Sequence, residues 1–218
     1  MNNLEALQAT NQQRKIYSVA DAAFKTYGSV VDMDAEPWIA AAETVEFPEA
    51  GCRYTAALEA LEVLPQAEAF RQEYCGGLDE QFGLCWGHND RMNALEWHTC
   101  SEFNIVVRNL VLLLAKRADL DDNGRLDSEK VKAFYLPRGT CMEIYAGTLH
   151  YTPCQVTEAG FSCVVGLQRG TNLPLAERKG RLWAANKWLL AHEQNKTLME
   201  KGAVPEIYGE NHRIFSVV

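Results

Sequence analysis

Glu96-Trp97-His98-Thr99-Cys100-Ser101-Glu102-Phe103-Asn104 is the stretch on which the fold of this chain turns. In an extended chain side chains alternate between faces, so Glu96, His98, Glu102 and Asn104 are expected on one side. The residues that follow, Ile105-Val106-Val107 and Leu110 through Leu114, are β-branched or aliphatic and mark strands. Four groups able to bind a metal ion or move a proton are costly on the inner face of a small barrel unless something compensates them. A metal ion compensates carboxylate and imidazole together.

Working outward, further short strands are expected at 131–136, 141–145 and 163–167. Turn signals separate them: Asn123-Gly124, Pro137-Arg138-Gly139, Ala146-Gly147 and Glu158-Ala159-Gly160. Short strands at this density point to a mainly β (α+β) fold, a sandwich or barrel of jelly-roll type. The first 80 residues read as helical with strand fragments. Helices are expected from Ser18 toward Gly28, over 54–63 up to Pro65, and over 67–74 before Gly76-Gly77. The expected layout is one domain over 1–218: N-terminal helices outside, a barrel core at 81–170, and an extension at 171–218. Within that extension, the Trp-rich segment 181–192 suits helix or strand equally.

The 218 residues are 47% hydrophobic and 23% charged, an ordinary globular composition. The net charge of -8 disfavours nucleic acid and anionic membranes, which demand clustered Lys and Arg. The densest basic patch is the short Arg178-Lys179-Gly180-Arg181. No apolar run reaches the roughly 20 residues of a membrane helix, and the polar residues 1–15 do not read as a signal peptide. Seven cysteines, an odd number without a C-x-x-C, argue against a disulfide framework and for a reduced, cytoplasmic compartment.

Asp119-Leu120-Asp121-Asp122-Asn123-Gly124-Arg125-Leu126-Asp127 imitates a calcium loop, but the twelfth position falls on Lys130 rather than a carboxylate. A solvated turn is the expectation there. The stronger partner for the 96–104 stretch is Pro137-Arg138-Gly139 through Glu143 to Gly147-Thr148-Leu149-His150, read as turn, strand, glycine turn, and a strand opened by His150. His98, Glu102 and His150 then supply two imidazoles and one carboxylate. That set suits Zn, Mn, Fe or Ni and leaves positions open for substrate or water. Glu96, or less strongly Glu143, is the candidate for proton transfer.

Glu96-x-His98-x-x-x-Glu102 resembles the first cupin motif, H-x-H-x-x-x-E, with Glu96 in place of the first histidine. The Pro137-Arg138-Gly139 turn is similar to the later cupin motif, yet Cys141 and Met142 stand where its histidine falls, and His150 comes later. Gly147-Thr148-Leu149-His150-Tyr151-Thr152-Pro153 is closer to the ureidoglycolate lyase branch. Over nearly its full length the chain also resembles an uncharacterised bacterial cupin-like family, through Ile16-Tyr17-Ser18-Val19, Phe24-Lys25-Thr26-Tyr27-Gly28, the 96–102 and 147–154 segments, Gly170-Thr171-Asn172 and 186–192. The resemblance implies a cupin barrel that can pair as a homodimer through strand edges.

The implied activity is metal-dependent isomerase, epimerase or lyase chemistry on a small hydroxylated molecule: a sugar, a sugar acid, or a ureido or hydroxy acid. An Fe(II) dioxygenase or a non-catalytic sugar-binding barrel would use the same residues. Lys187 and His192 read as a snorkelling lysine and a capping histidine, His88 and His212 as loop residues, the cysteines as small core residues, and the tryptophans as packing.

Overall fold

The computed structural model describes residues 3–217. Five short α-helices occur among them: α1 Asn3–Thr10, α2 Glu36–Ala42, α3 Glu59–Glu62, α4 Pro65–Glu73 and α5 Lys196–Glu200. The first eight strands are β1 Ile16–Ser18, β2 Gly28–Val30, β3 Cys52–Thr55, β4 Glu80–Gly87, β5 Ala94–Trp97, β6 Glu102–Arg108, β7 Leu110–Lys116 and β8 Leu126–Asp127. The rest are β9 Lys132–Leu136, β10 Cys141–Ile144, β11 Thr148–Leu149, β12 Cys154–Gln155, β13 Phe161–Gln168, β14 Leu182–Ala184, β15 Lys187–His192 and β16 Val204–Tyr208.

One sheet runs β2-β10-β6-β13-β4-β3. A second runs β1-β9-β7-β11, with β12 also on β7. A third, β14-β15-β16-β8, carries β5 on β15. The pairing of Glu96 with His150 joins β5 to the end of β11, so the second and third sheets make one curled wall facing the first.

Alternation along the strands builds three apolar layers. Between the walls lie Val106 of β6, Leu110, Leu112 and Leu114 of β7, Phe134 of β9 and Phe161 of β13. On the outer face of the first sheet, Phe82, Leu84, Ile105 and Val164 pack against Trp38, Ile39, Leu61 and Phe70 of the helices. On the far side, Val111, Leu113 and Ala133 meet Leu7, Leu95, Leu190 and Ile207. This is the expected mainly β architecture, two facing walls of sheet with N-terminal helices packed outside.

Two local expectations change and one left open is decided. Ser18 does not cap a helix; it lies in β1 beside Tyr135, and a 3-10 turn at Ala22–Thr26 is capped instead by the Asp21 side chain on the Ala23 amide. The helix expected over 54–63 shrinks to α3, because residues up to Thr55 pair with β4 as an edge strand. Tertiary pairing there outweighs the helical preference of Ala, Leu and Glu. The Trp-rich segment is strand: β14 and β15 form a hairpin, and β15 stacks Trp188 on Trp97 of β5, with ring centroids 5.8 Å apart. The Asp119–Asp127 loop spends its carboxylates on its own backbone: Asp121 accepts from Asn123 and Arg125, and Asp127 from Glu129.

Trp38 is fully buried against Phe82 and Phe70, and its indole N–H has no partner among the described residues. Trp38→Ala is expected to cost about 3–5 kcal/mol in chemical denaturation. Trp38→Phe is expected to cost distinctly less, since no hydrogen bond is lost with the indole. Equal losses in the two variants would mean that the indole nitrogen matters.

Candidate metal centre

Glu96 lies in β5 with its backbone hydrogen-bonded both ways to His150, the donor–acceptor distances being 2.7 and 2.9 Å. The two residues therefore sit directly opposite one another and share a face. His150 follows β11 rather than opening a strand. After Trp97 the chain leaves one wall at residues 98–101 and enters the other as β6, which carries Glu102 and Asn104. The expected single face is thus built from two facing sheets, and the crossing between them brings the four groups together. Glu96, His98, Glu102 and His150 are all buried, His98 to within 1%.

Both imidazoles are anchored through Nδ1. His98 Nδ1 donates to the Asn186 carbonyl at 2.7 Å, and His150 Nδ1 donates to the Thr148 carbonyl at 2.9 Å. A carbonyl can only accept, so each neutral ring keeps its proton on Nδ1 and offers the lone pair of Nε2. The two Nε2 atoms turn to the Glu102 carboxylate, at 3.1 Å for His150 and 3.5 Å for His98. Glu96 Oε1 stands 3.8 Å from His98 Nε2. Asn104 holds the other Glu102 oxygen at 2.8 Å.

The separations of Glu102 from the two Nε2 atoms fit ligands of one ion. With donor–metal bonds of about 2.1 Å, neighbouring ligands lie about 3.0 Å apart at right angles and about 3.4 Å apart in a tetrahedron. His98 Nε2 is buried without a hydrogen-bond partner among the described residues, an orphaned atom of the kind a metal satisfies. Anchoring of Nδ1 by a backbone carbonyl is the outer support that metal-binding imidazoles ordinarily have. Ligand atoms of Glu96, His98 and His150 all lie within 4.8 Å of one another, so this group can hold a metal ion.

Burial raises the Glu102 carboxyl, but His150 and His98 outweigh it and hold the group below its usual range. Burial lowers the His150 imidazole, and Glu102 overcomes this, lifting it to about 9. Beside the cluster opens a cavity of about 200 Å3, lined by Glu96, Glu102, Asn104, His150, Tyr54 and Lys187 among others.

Residues 16–212 match the family described as a domain of unknown function, DUF4867. The chain belongs to the DUF4867 family. No curated protein matches it. Among solved structures, this DUF4867 protein is similar to Bacillus subtilis oxalate decarboxylase, described for its Mn(II) centres, at 11% identity over 45% of this chain and 24% of that one (TM-score 0.31). It is also similar to hazelnut (Corylus avellana) vicilin, at 11% identity over 74% and 42% (TM-score 0.37). Hydroxypropylphosphonic acid epoxidase from S. wedmorenis gives 15% identity over 40% and 42% (TM-score 0.30). The DUF4867 chain spans less than half the length of each.

All four residues singled out in the DUF4867 sequence converge, and the three expected ligands, His98, Glu102 and His150, meet at Nε2 and carboxylate atoms. Glu143 does not join them; it accepts from Ser101 at 2.6 Å away from the cluster. His192 and His212 are fully buried outside the site, and His212, in the irregular segment after β16 as expected of a loop residue, bonds the Ser128 carbonyl at 2.7 Å. Sequence reasoning read Lys187 as a snorkelling lysine, whereas its ammonium meets the Glu96 carboxylate. The same reasoning missed Asn186, which turns the β14–β15 hairpin with φ +53°. The Asn186 side chain accepts from the Thr99 amide at 2.9 Å and fixes the crossing segment. The available signal was Asn186 itself, a residue that tolerates the left-handed region.

In metal-free protein, Glu102→Gln removes the anion that lifts His150, while the burial that lowers it stays. Nuclear magnetic resonance is expected to place the His150 pKa at about 9 in wild type, falling toward or below 6.5 in the variant. Because the folded value is the higher one, the His150 contribution is full below pH 6.5 and lost as pH rises through about 9, while the depressed Glu102 carboxyl contributes above its ordinary value of 4.5 and is lost in acid. The variant is expected to lack this alkaline decline. A value that stays near 9 in Glu102→Gln would contradict the assignment.

Proposed function

We propose that this protein is a metal-dependent enzyme acting on a small hydroxylated molecule, by isomerase, epimerase or lyase chemistry that passes through an enediolate. The reading is carried by one observation: two buried imidazoles, each tied at Nδ1 to a backbone carbonyl, aim Nε2 at one shared carboxylate beside a cavity.

His98, Glu102 and His150 would hold the ion, of which Zn, Mn, Fe and Ni all suit two nitrogens and an oxygen. A divalent ion held there would supply Lewis acidity to carbonyl and hydroxyl oxygens of the bound molecule. Glu96 stands at the outer limit of ligand spacing from His98, and Lys187 holds its carboxylate toward the cavity. Its role is then proton transfer: it removes the proton from the carbon beside the carbonyl and returns it to the same carbon in an epimerase, to the neighbouring carbon in an isomerase, or to the departing group as its bond breaks in a lyase. Asn104 fixes Glu102 by its amide, and Leu112, Cys163 and Val165 give the cavity an apolar wall that limits water. Within this class, the resemblance of residues 147–153 to the ureidoglycolate lyase branch favours a lyase.

Protein loaded with Mn(II) or Zn(II), desalted and submitted to elemental analysis is expected to retain about one ion per chain in wild type, as for a site with several protein ligands. His98→Ala and His150→Ala are expected to lose at least about 90% of it, in line with the loss of a ligand imidazole, with circular dichroism unchanged. Glu96→Gln is expected to keep the ion, which separates a proton-transfer group from a ligand. An ion-free wild type, or full occupancy in both histidine variants, would remove the basis of the proposal.

A further inference from the structure

Lys187 begins β15 immediately after Asn186, so one hairpin both anchors His98 and delivers an ammonium to the cavity. Its side chain is 15% exposed, and its carboxylate contact is Glu96. An ammonium has three N–H donors and no acceptor. With Glu96 taken as one partner, donors remain that face the cavity. Tyr54 adds another: its hydroxyl oxygen accepts from Asn172 at 3.0 Å, so its own O–H is free for a ligand. The two carboxylates already have partners: Glu96 meets Lys187, and Glu102 accepts from Asn104 and stands 3.1 Å from His150 Nε2. The buried side-chain oxygen of Asn172, which has no hydrogen-bond partner among the described residues, is left to accept a hydroxyl of the ligand. Burial and the nearby Glu102 push the Tyr54 phenol well above its ordinary value, so it remains a donor.

Charge points the same way, and this step rests on the metal reading above. With a divalent ion bound, Glu96 and Glu102 carry two negative charges against the ion and the Lys187 ammonium, and neutral imidazoles add nothing, so the site holds one surplus positive charge even with Lys187 against Glu96. A surplus charge in a mostly buried pocket is unfavourable, and an anion brought by the ligand removes that cost. At about 30 Å3 per water-sized group, a 200 Å3 cavity holds about seven such groups, which favours a molecule of roughly three or four carbons.

We propose that the ligand of this cavity is a small hydroxy acid or sugar acid, and that its carboxylate is received by the Lys187 ammonium and the Tyr54 hydroxyl. Neutral sugars and polyols of the same skeleton leave both donors and the surplus positive charge unanswered. Lys187 is then the residue that sets substrate class, while the metal ligands and Glu96 act on the hydroxyl-bearing carbon.

The test is calorimetric titration of the full-length Mn(II)-loaded protein with matched probes: glycerate beside glycerol, and erythronate beside erythritol. At least one acid is expected to bind about 10-fold or more tighter than its neutral partner, a difference of about 1.4 kcal/mol. Lys187→Met is expected to retain Mn(II) and lose that preference, Lys187→Arg to keep most of it, and Tyr54→Phe to weaken the acid alone. The arginine variant guards against misreading a folding defect in Lys187→Met. Equal binding of acid and polyol, no acid binding at all, or a preference that survives in Lys187→Met would overturn this inference while Mn(II) uptake stands. Failure of wild type to take up Mn(II) would overturn both this inference and the metal reading beneath it.

Discussion

Two imidazoles and a carboxylate that have left water together set the terms for the rest of this molecule. Glu102 is buried with His98 and His150 at 3.5 and 3.1 Å, and Glu96 stands close by. Each of these groups is costly to desolvate alone. In combination they lower one another's cost, which is why the carboxyl is held down and the His150 imidazole is held up against a burial effect of opposite sign. The arrangement survives only if its geometry is fixed. The fold fixes it with backbone atoms: the Asn186 and Thr148 carbonyls hold the rings, and the Glu96–His150 backbone pair sets the spacing of two strands.

The surrounding layers follow from that requirement. An apolar seam between two sheets excludes water from one end of the barrel, while helices α2 to α4 close the outer face of the first sheet. The C-terminal strands complete the second wall. Through β15 they support β5, and through the β14–β15 turn they supply both the His98 anchor and Lys187. Residues far apart in sequence are thus joined at the site by hydrogen bonds that are mostly main-chain, and such bonds position a group more rigidly than long side chains do.

Much of this was legible in the chain itself. The aliphatic runs of β6 and β7, and the turn residues between 123 and 160, announce a β barrel because strand periodicity is local. Glu96, His98, Glu102 and His150 were legible because ionisable residues among apolar strands demand an explanation. What stayed hidden depends on pairing between distant segments. Alternation placed Glu96 and Glu102 on one strand face, whereas the crossing at 98–101 sets them on opposite walls. Residues 52–55 look helical by composition and are recruited as an edge strand by β4. Lys187 resembles any lysine beside a tryptophan until β15 is known to lie against β5, where Glu96 stands opposite Leu189 and so diagonally across from Lys187 on the same face.

The most direct measurement of the central claim is anomalous diffraction from a zinc-soaked crystal, recorded on both sides of the zinc edge. A single strong peak is expected at about 2.0–2.2 Å from Nε2 of His98, Nε2 of His150 and an oxygen of Glu102, with the Nδ1 bonds to Asn186 and Thr148 unchanged. A peak elsewhere, or no peak while the two imidazoles remain bonded only to Glu102, would contradict the account.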